Sequence, residues 1–382
     1  MIMKNSFKLC AIAAGILVLS GNIQAQTIVK IGTASPMSGA LAHWGKDNSS
    51  GVLMAIEELN AKGVVIGGRK VTLELQTEDD AADPKQGTAV AQKMADAGVK
   101  GVIGHQNSGV SIPASRIYSD AGIPQISPAS TNPKYTRQGY KTAFRVVADD
   151  VHLGGTLGRY AVETIKATSI AVIDDRTSYG QGVAEEFEKA AKAVGGKIVS
   201  REYTTDKATD FSAILTNIKA KKPDVVFFGG MDAVAGPMLR QMKQLGISAK
   251  FLGGDGICSA ELPTLAAGAM SDGQVICAEA GGIEGTQKTE MEDFRKRFKQ
   301  RFGADVLIYS PYYYDATKLM VASMVKAGSA EPSKYLPILA STTGYKGVTG
   351  SISFDAKGDL KNGALTLYTF KGGKRDEIAV VR

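Results

Sequence analysis

Past its first 25 residues the chain has no apolar run long enough to span a membrane. It is also poor in the side chains that do covalent and metal chemistry, with three histidines, three cysteines and one tryptophan in 382 residues. The histidines, His43, His105 and His152, are scattered, and none sits in an H-E-x-x-H zinc motif. No G-x-S-x-G elbow presents a nucleophilic serine, and no G-x-x-x-x-G-K-[ST] loop is there to cradle phosphates. "GGTLG" at 154 to 158 resembles part of a dinucleotide fingerprint, but no convincing strand precedes it. The acidic cluster Glu78, Asp79, Asp80 and Asp83 could be drawn as a metal site. Asp83 stands directly before Pro84, however, which reads as a helix N-cap with proline in the first turn, the others ending a strand. These absences predict a chain that is not an enzyme and carries neither cofactor nor metal.

The one marked apolar run, "LCAIAAGILVL", lies at the start, behind Lys4 and Lys8 and ahead of the small-residue end "NIQA". At about 11 residues it falls well short of the roughly 20 that cross a bilayer. Residues 1–25 therefore read as a secretory signal peptide, and the chain from Gln26 onward is expected to be soluble and exported. Cys10 opens the apolar stretch rather than following it, which disfavours a lipid anchor. Removing Lys4 and Lys8 takes the formal charge from +7 to +5, a modest balance that calls for no nucleic-acid partner. The basic run "RKRFKQR" at 295 to 301 is interleaved with Met291, Phe294, Phe298 and Phe302 at helical spacing, so its charges occupy the solvated face of an amphipathic helix. With Cys10 gone, Cys258 and Cys277 remain as an even pair in an exported chain. A disulfide is the expected state, the alternative being two buried thiols that never meet.

From residue 28 onward short β-branched runs alternate with amphipathic helical windows, the pattern of parallel sheets flanked by helices. The runs are "IVKIGTAS", "KVTLELQTE", "VKGVIG" and "IPQIS", then "SIAVID", "GKIVSREY", "DVVFFGG" and "KFLGGD". Val52, Leu53, Ile56 and Leu59 mark one helix face, and Val183, Phe187, Ala190, Ala191 and Val194 another. The first series ends near "FRVVADD" and the second near "GQVICAEA". A helix-rich segment follows, then a hairpin-like end in which "DAKGD" supplies turn chemistry. About 357 residues remain after the leader, more than one core usually organises, so the expectation is an α/β protein of two doubly wound lobes. No repeat or Pro-rich linker intervenes, which favours short ordered crossings between them.

Two polar loops stand at adjacent strand ends. "GHQNSGVSIPAS" at 104 to 115 follows "VKGVI" and leads into a helix, and "SPASTNP" at 127 to 133 follows "GIPQI". In open α/β sheets ligands bind beyond the carboxyl ends of the strands. Free N–H groups and the positive end of the helix beginning near Ser108 would favour an anion there, most simply a carboxylate. For one loop alone, Ser108 or Ser111 acting merely as a cap would be an adequate account. The neighbouring loop, with Ala129, Ser130 and Thr131, tips the balance toward a shared site.

Taken together, "ASPMSGALAHWG", "DDAADPKQG", "VIGHQNSG", "SPASTNP", "DRTSYGQG", "FFGGMDA" and "SPYYYDA" closely resemble the periplasmic branched-chain amino-acid binding proteins of ABC transporters. The match runs in order over essentially the whole exported chain. The resemblance implies a type I periplasmic binding protein fold, two Rossmann-like lobes joined by three crossings that close on a ligand by hinge motion. It places residues 26–148 plus 280–352 in the first lobe and 149–279 plus 353–382 in the second. By the same resemblance, the Ser108 hydroxyl and N–H and the Thr131 N–H hold a ligand carboxylate. The Ala129 carbonyl and Thr131 hydroxyl accept from its ammonium, while Tyr179 and Asp255 close over it from the second lobe. Trp44, Met231 and Tyr312 fall at side-chain pocket positions. Gln106 and Asn107 replace less polar residues of leucine-type binders, leaving room for a polar or larger side chain. The implied protein is a periplasmic monomer that passes an amino acid to a membrane ABC permease. A second reading is a sensor for another small carboxylate or amide, which would need a separate signalling partner.

Overall fold

The computed structural model describes residues 27–382, with 284 and 286 excepted. The expected signal peptide, residues 1–25, lies outside the described residues. The first sheet is built from β1 (Thr27–Ser35), β2 (Val64–Ile66), β3 (Arg69–Asp79), β4 (Val102–Gly104), β5 (Gln125–Ser127) and β6 (Ala143–Arg145), in the order β2-β3-β1-β4-β5-β6. All neighbours are parallel except the edge pair of β2 and β3. β4, β5 and β6 are buried at every position, as expected of strands covered by helices on both faces.

The second sheet uses β7 (Ile170–Asp174), β8 (Ile198–Tyr203), β9 (Val225–Gly229), β10 (Lys250–Gly253) and β11 (Val275–Glu279). A small hairpin, β12 (Tyr345–Gly347) and β13 (Gly350–Ile352), comes next, followed by β14 (Leu365–Lys371) and β15 (Lys374–Val381). The sheet order is β15-β14-β11-β10-β9-β7-β8, with β14 and β15 antiparallel at one edge. The "DAKGD" turn closes on itself through a Phe354 to Leu360 bridge, and the strand after it joins the second sheet instead of forming a local hairpin.

Helices Ala42–Lys62 and Ser310–Ala327 pack on the first sheet, as do Pro84–Asp96 and Ser108–Asp120; Asp150–Arg159 and Ser178–Ala193 cover the second, with Ser212–Lys221 and Asp232–Gln244. The chain thus passes between the lobes three times, after β6, after β11 and between β13 and β14. Local sequence accounts for the helix starts. Asp83 caps its helix by accepting from the Lys85 and Gln86 N–H groups, with proline in the first turn, and Thr177 caps the next lobe's long helix through the Gly180 N–H at 2.9 Å. "GGTLG" lies inside the helix Asp150–Arg159. A Cβ on Gly154 or Gly158 would stand 2.6 Å from the Val183 carbonyl or 2.4 Å from that of Phe187, so these glycines let two helices touch backbone to backbone. The aromatic face of "RKRFKQR" is buried at Met291, Phe294 and Phe298.

Candidate ligand-binding cleft

Between the lobes lies a small cavity of about 20 Å³ lined by Gln106, Asn107, Ser108, Ala129, Tyr179, Met231, Asp255, Gly256 and Tyr309. The first lobe contributes a helix start. Ser108 opens the helix Ser108–Asp120, and its hydroxyl accepts from the Asn132 N–H at 3.2 Å, which joins the two polar loops. Ser130 reinforces that junction, its hydroxyl standing 2.8 Å from the Gln106 carbonyl and 2.6 Å from Ser111 Oγ. Arg145, fully buried on β6, holds the second loop from behind, donating to the carbonyls of Ser130 and Asn132 at 2.9 Å each. Its Nε also donates to Asp359 at 3.1 Å in the third crossing. Burial would raise the Asp359 carboxyl, but the Arg145 charge and the Thr136 hydroxyl outweigh it and hold the group below the usual carboxylate value.

The second lobe contributes an acid. Asp255, buried just beyond β10, accepts from the Tyr179 hydroxyl at 2.7 Å through Oδ1 and from the Tyr309 hydroxyl through Oδ2. Burial pushes its carboxyl up to about 6 despite these donors. Tyr309 belongs to the first lobe, so this contact crosses the cleft. It is placed by Asp47, on the helix Ala42–Lys62, whose carboxylate accepts from the N–H groups of Leu307, Tyr309 and Ser310 at 3.0, 3.1 and 2.9 Å. That carboxylate fixes the chain entering the helix Ser310–Ala327.

A second contact across the cleft centres on Asp232. It accepts from Trp44 Nε1–H at 3.0 Å, lies 3.0 Å from His43 Nε2, and also takes the Ser259 hydroxyl. Burial would lower the His43 pKa, but the hydrogen bond and charge of Asp232 together raise it. Asn132 Nδ2 completes the closure by donating to the Ser178 carbonyl at 2.7 Å. Cys258 and Cys277 form the disulfide expected from their pairing, joining the segment after Asp255 to β11.

Of the residues singled out from sequence, Asn107, Ser108, Ala129, Tyr179, Met231 and Asp255 meet around the one cavity. Thr131 is buried behind it with its hydroxyl beside the Asp150 carboxyl, and Trp44 is turned to Asp232, its ring centroid 5.6 Å from that of Tyr309. Tyr312 is elsewhere. Its hydroxyl lies 3.4 Å from Glu279, and it lines a different cavity beside the second crossing, its ring edge-on to that of Tyr309 with centroids 6.2 Å apart. Tyr309 is the tyrosine that faces the cleft. Sequence reading also passed over Asp150, whose buried carboxyl is pushed well above its ordinary value by burial, against the neighbouring Thr131 hydroxyl, which favours the ionised form.

The chain belongs to the periplasmic binding protein family, whose profile matches residues 28–374. A Leu/Ile/Val-binding protein homologue of Brucella abortus is 37% identical over 370 residues, 97% of each chain. The leucine-, isoleucine-, valine-, threonine- and alanine-binding protein of Pseudomonas aeruginosa is 35% identical over 351 residues, 92% of each. Among solved structures, a leucine-binding protein from Thermotoga maritima superposes with a TM-score of 0.84 at 26% identity, covering 93% of this chain and 99% of its own. The isoleucine complex of a branched-chain amino-acid transporter substrate-binding protein from Streptococcus pneumoniae gives 0.83 at 25% identity, with the same coverage. The family places the protein in the periplasm, among binding proteins rather than enzymes.

Proposed function

We propose that this protein captures an α-amino acid, branched-chain or related, between its lobes and delivers it as a monomer to a membrane ABC permease. The observation that carries the reading is the pairing of opposite polar ends across one cavity: the N-terminus of the helix at Ser108 on one lobe and the buried carboxylate of Asp255 on the other. A helix N-terminus favours an anion, and an acid facing it favours a cation, so the cleft suits a zwitterion. In this reading Ser108 and the Thr131 N–H hold the carboxylate. The Ala129 carbonyl, the Thr131 hydroxyl and Asp255 hold the ammonium, and Met231 borders the side chain, with Trp44 as a wall behind Tyr309. The names of the two bacterial relatives and the isoleucine complex support an amino-acid ligand.

The lobes are proposed as 26–148 plus 280–352 and 149–279 plus 353–382, with 354–359 packed against the first lobe through Thr342 and Arg145, and the chain is exported by removal of residues 1–25. Calorimetric titration of wild type and Asp255→Ala with the twenty amino acids and the deaminated analogue of the best binder tests the assignment. Removing Asp255 would leave a buried ammonium unpaired, at a cost of about 3 to 5 kcal/mol, or roughly two to three and a half orders of magnitude in Kd. The deaminated analogue should lose much less. An alanine variant that binds the amino acid as tightly as wild type would refute it.

A further inference from the structure

The residues proposed to hold the α-amino and carboxylate groups leave two polar atoms at the cavity without work. Gln106 is only 3% exposed and lines the cavity; its Oε1 accepts from Asn48 Nδ2 at 2.7 Å, while its Nε2 has no partner. Turning both amides over would pair Gln106 Nε2 with Asn48 Oδ1, itself unpartnered, and would leave Gln106 Oε1 free instead, so one amide atom of Gln106 is surplus either way. Asn107 occupies the N-cap of the helix Ser108–Asp120. An asparagine there ordinarily turns its side-chain oxygen back to the first N–H groups of the helix. Here it makes no such bond, and its Oδ1 is buried without a partner at the same cavity.

We propose that the cleft selects an amino acid whose side chain is neutral and hydrogen-bonding: a carboxamide or hydroxyl that pairs with the surplus amide atom of Gln106 and with the Asn107 amide. An aliphatic side chain would strand both atoms in a dry site, at roughly five- to hundredfold in affinity for each. An acidic side chain fits no better, because Asp255 is the only charged residue lining the cavity and it is an acid. Rejection of this kind is effective because the unpaired atoms belong to the site and not to the ligand.

The inference rests on the amino-acid reading above. The test is calorimetric titration of ligand-stripped wild type, Gln106→Leu and Asn107→Ala with asparagine, glutamine, threonine, leucine, valine and aspartate, after thermal unfolding has shown which variants fold. At least one of asparagine, glutamine and threonine should bind wild type tenfold or more tighter than leucine and valine, about 1.4 kcal/mol. Each folded variant should shift that ratio tenfold or more toward leucine. If leucine or valine binds wild type most tightly, or if the ratio is unchanged in a folded variant, this inference falls while the amino-acid reading stands. If none of the six binds, this inference falls, and the amino-acid reading falls with it only if none of the twenty binds. Where neither variant folds, the wild-type ranking alone decides.

Discussion

Changing Asp255 to asparagine keeps the shape of the side chain and deletes its charge, so the free protein and the ligand complex should respond in opposite directions. The carboxyl stands at about 6 in the folded chain against the ordinary 3.8. An acid that is harder to ionise when folded costs stability as pH rises from the unfolded to the folded value. Below pH 3.8 both states hold the proton and nothing is lost, and above about pH 6 the full cost is present. The difference corresponds to about 3 kcal/mol at pH 7.5. Asparagine carries no such cost; with its amide oxygen in place of Oδ1 it still accepts from the Tyr179 hydroxyl, while its NH2 in place of Oδ2 donates to the Tyr309 hydroxyl, which turns its own proton away. The Asp255→Asn protein, stripped of ligand by unfolding and refolding, should therefore resist urea better than wild type at pH 7.5, by about 1 to 3 kcal/mol. The gain should fade toward zero by pH 4. Amino-acid binding should weaken at least tenfold, since the ammonium loses its counter-charge, and wild-type affinity should itself fall as pH drops below 6. Urea titrations of both proteins at pH 4, 5, 6 and 7.5, with calorimetry at pH 7.5, measure all of this. An asparagine variant less stable than wild type at pH 7.5, or a stability gap that ignores pH, would refute the reasoning.

Tyr309→Phe removes a hydroxyl from Asp255 and should weaken amino-acid binding several-fold by titration, whereas Tyr312→Phe, which touches Glu279, should leave it within about twofold. Arg145→Met strips a fully buried guanidinium from Asp359 and from the Ser130 and Asn132 carbonyls, so urea unfolding should show a loss of about 3 to 5 kcal/mol. Because Asp359 titrates below its ordinary value, the stability it contributes is present above pH 3.8 and lost as pH falls through its folded value, and wild type should lose more than the variant on acidification. Reducing the Cys258 to Cys277 bridge opens a loop whose ends are 19 residues apart and should cost roughly 3 kcal/mol in urea unfolding. Two alkylatable cysteines in the exported, unreduced protein, detected by intact mass, would contradict the bridge.

What could be read from sequence was whatever depends on neighbours along the chain. Strand runs of two doubly wound series, the Asp83 and Pro84 helix start, and the polar loops at adjacent strand ends all follow from local chemistry. The exchange between Tyr312 and Tyr309 shows the limit. Four tyrosines fall between 309 and 314, and helical period cannot say which precedes the first turn; that is decided by Asp47, more than 250 residues away in sequence, which binds the N–H groups of 307 to 310. Trp44 looked like a pocket wall by position, but its ring N–H needs an acceptor when buried and finds Asp232 on the other lobe. The surplus atoms of Gln106 and Asn107 likewise emerge only when their surroundings are known, since asparagine at an N-cap looks satisfied on paper.

Arg145 also bears on how the cleft can swing. The guanidinium that grips the Ser130 loop is bolted to Asp359, and the Arg145 backbone N–H is bonded to the Gly358 carbonyl, so the third crossing is fastened to the first lobe as far as residue 359. What is left to bend is the short stretch from 361 to 364. There Gly363 lies against Ala148, whose N–H is bonded to the Ala280 carbonyl at 3.3 Å, so the three pivots stand side by side. Such an arrangement resembles a door on one row of pins more than a ball joint. The loop that carries Ser130 and Thr131 is mounted on the same plate as those pins, and its lever arm stays constant. All of the travel falls to the jaw that carries Tyr179 and Asp255.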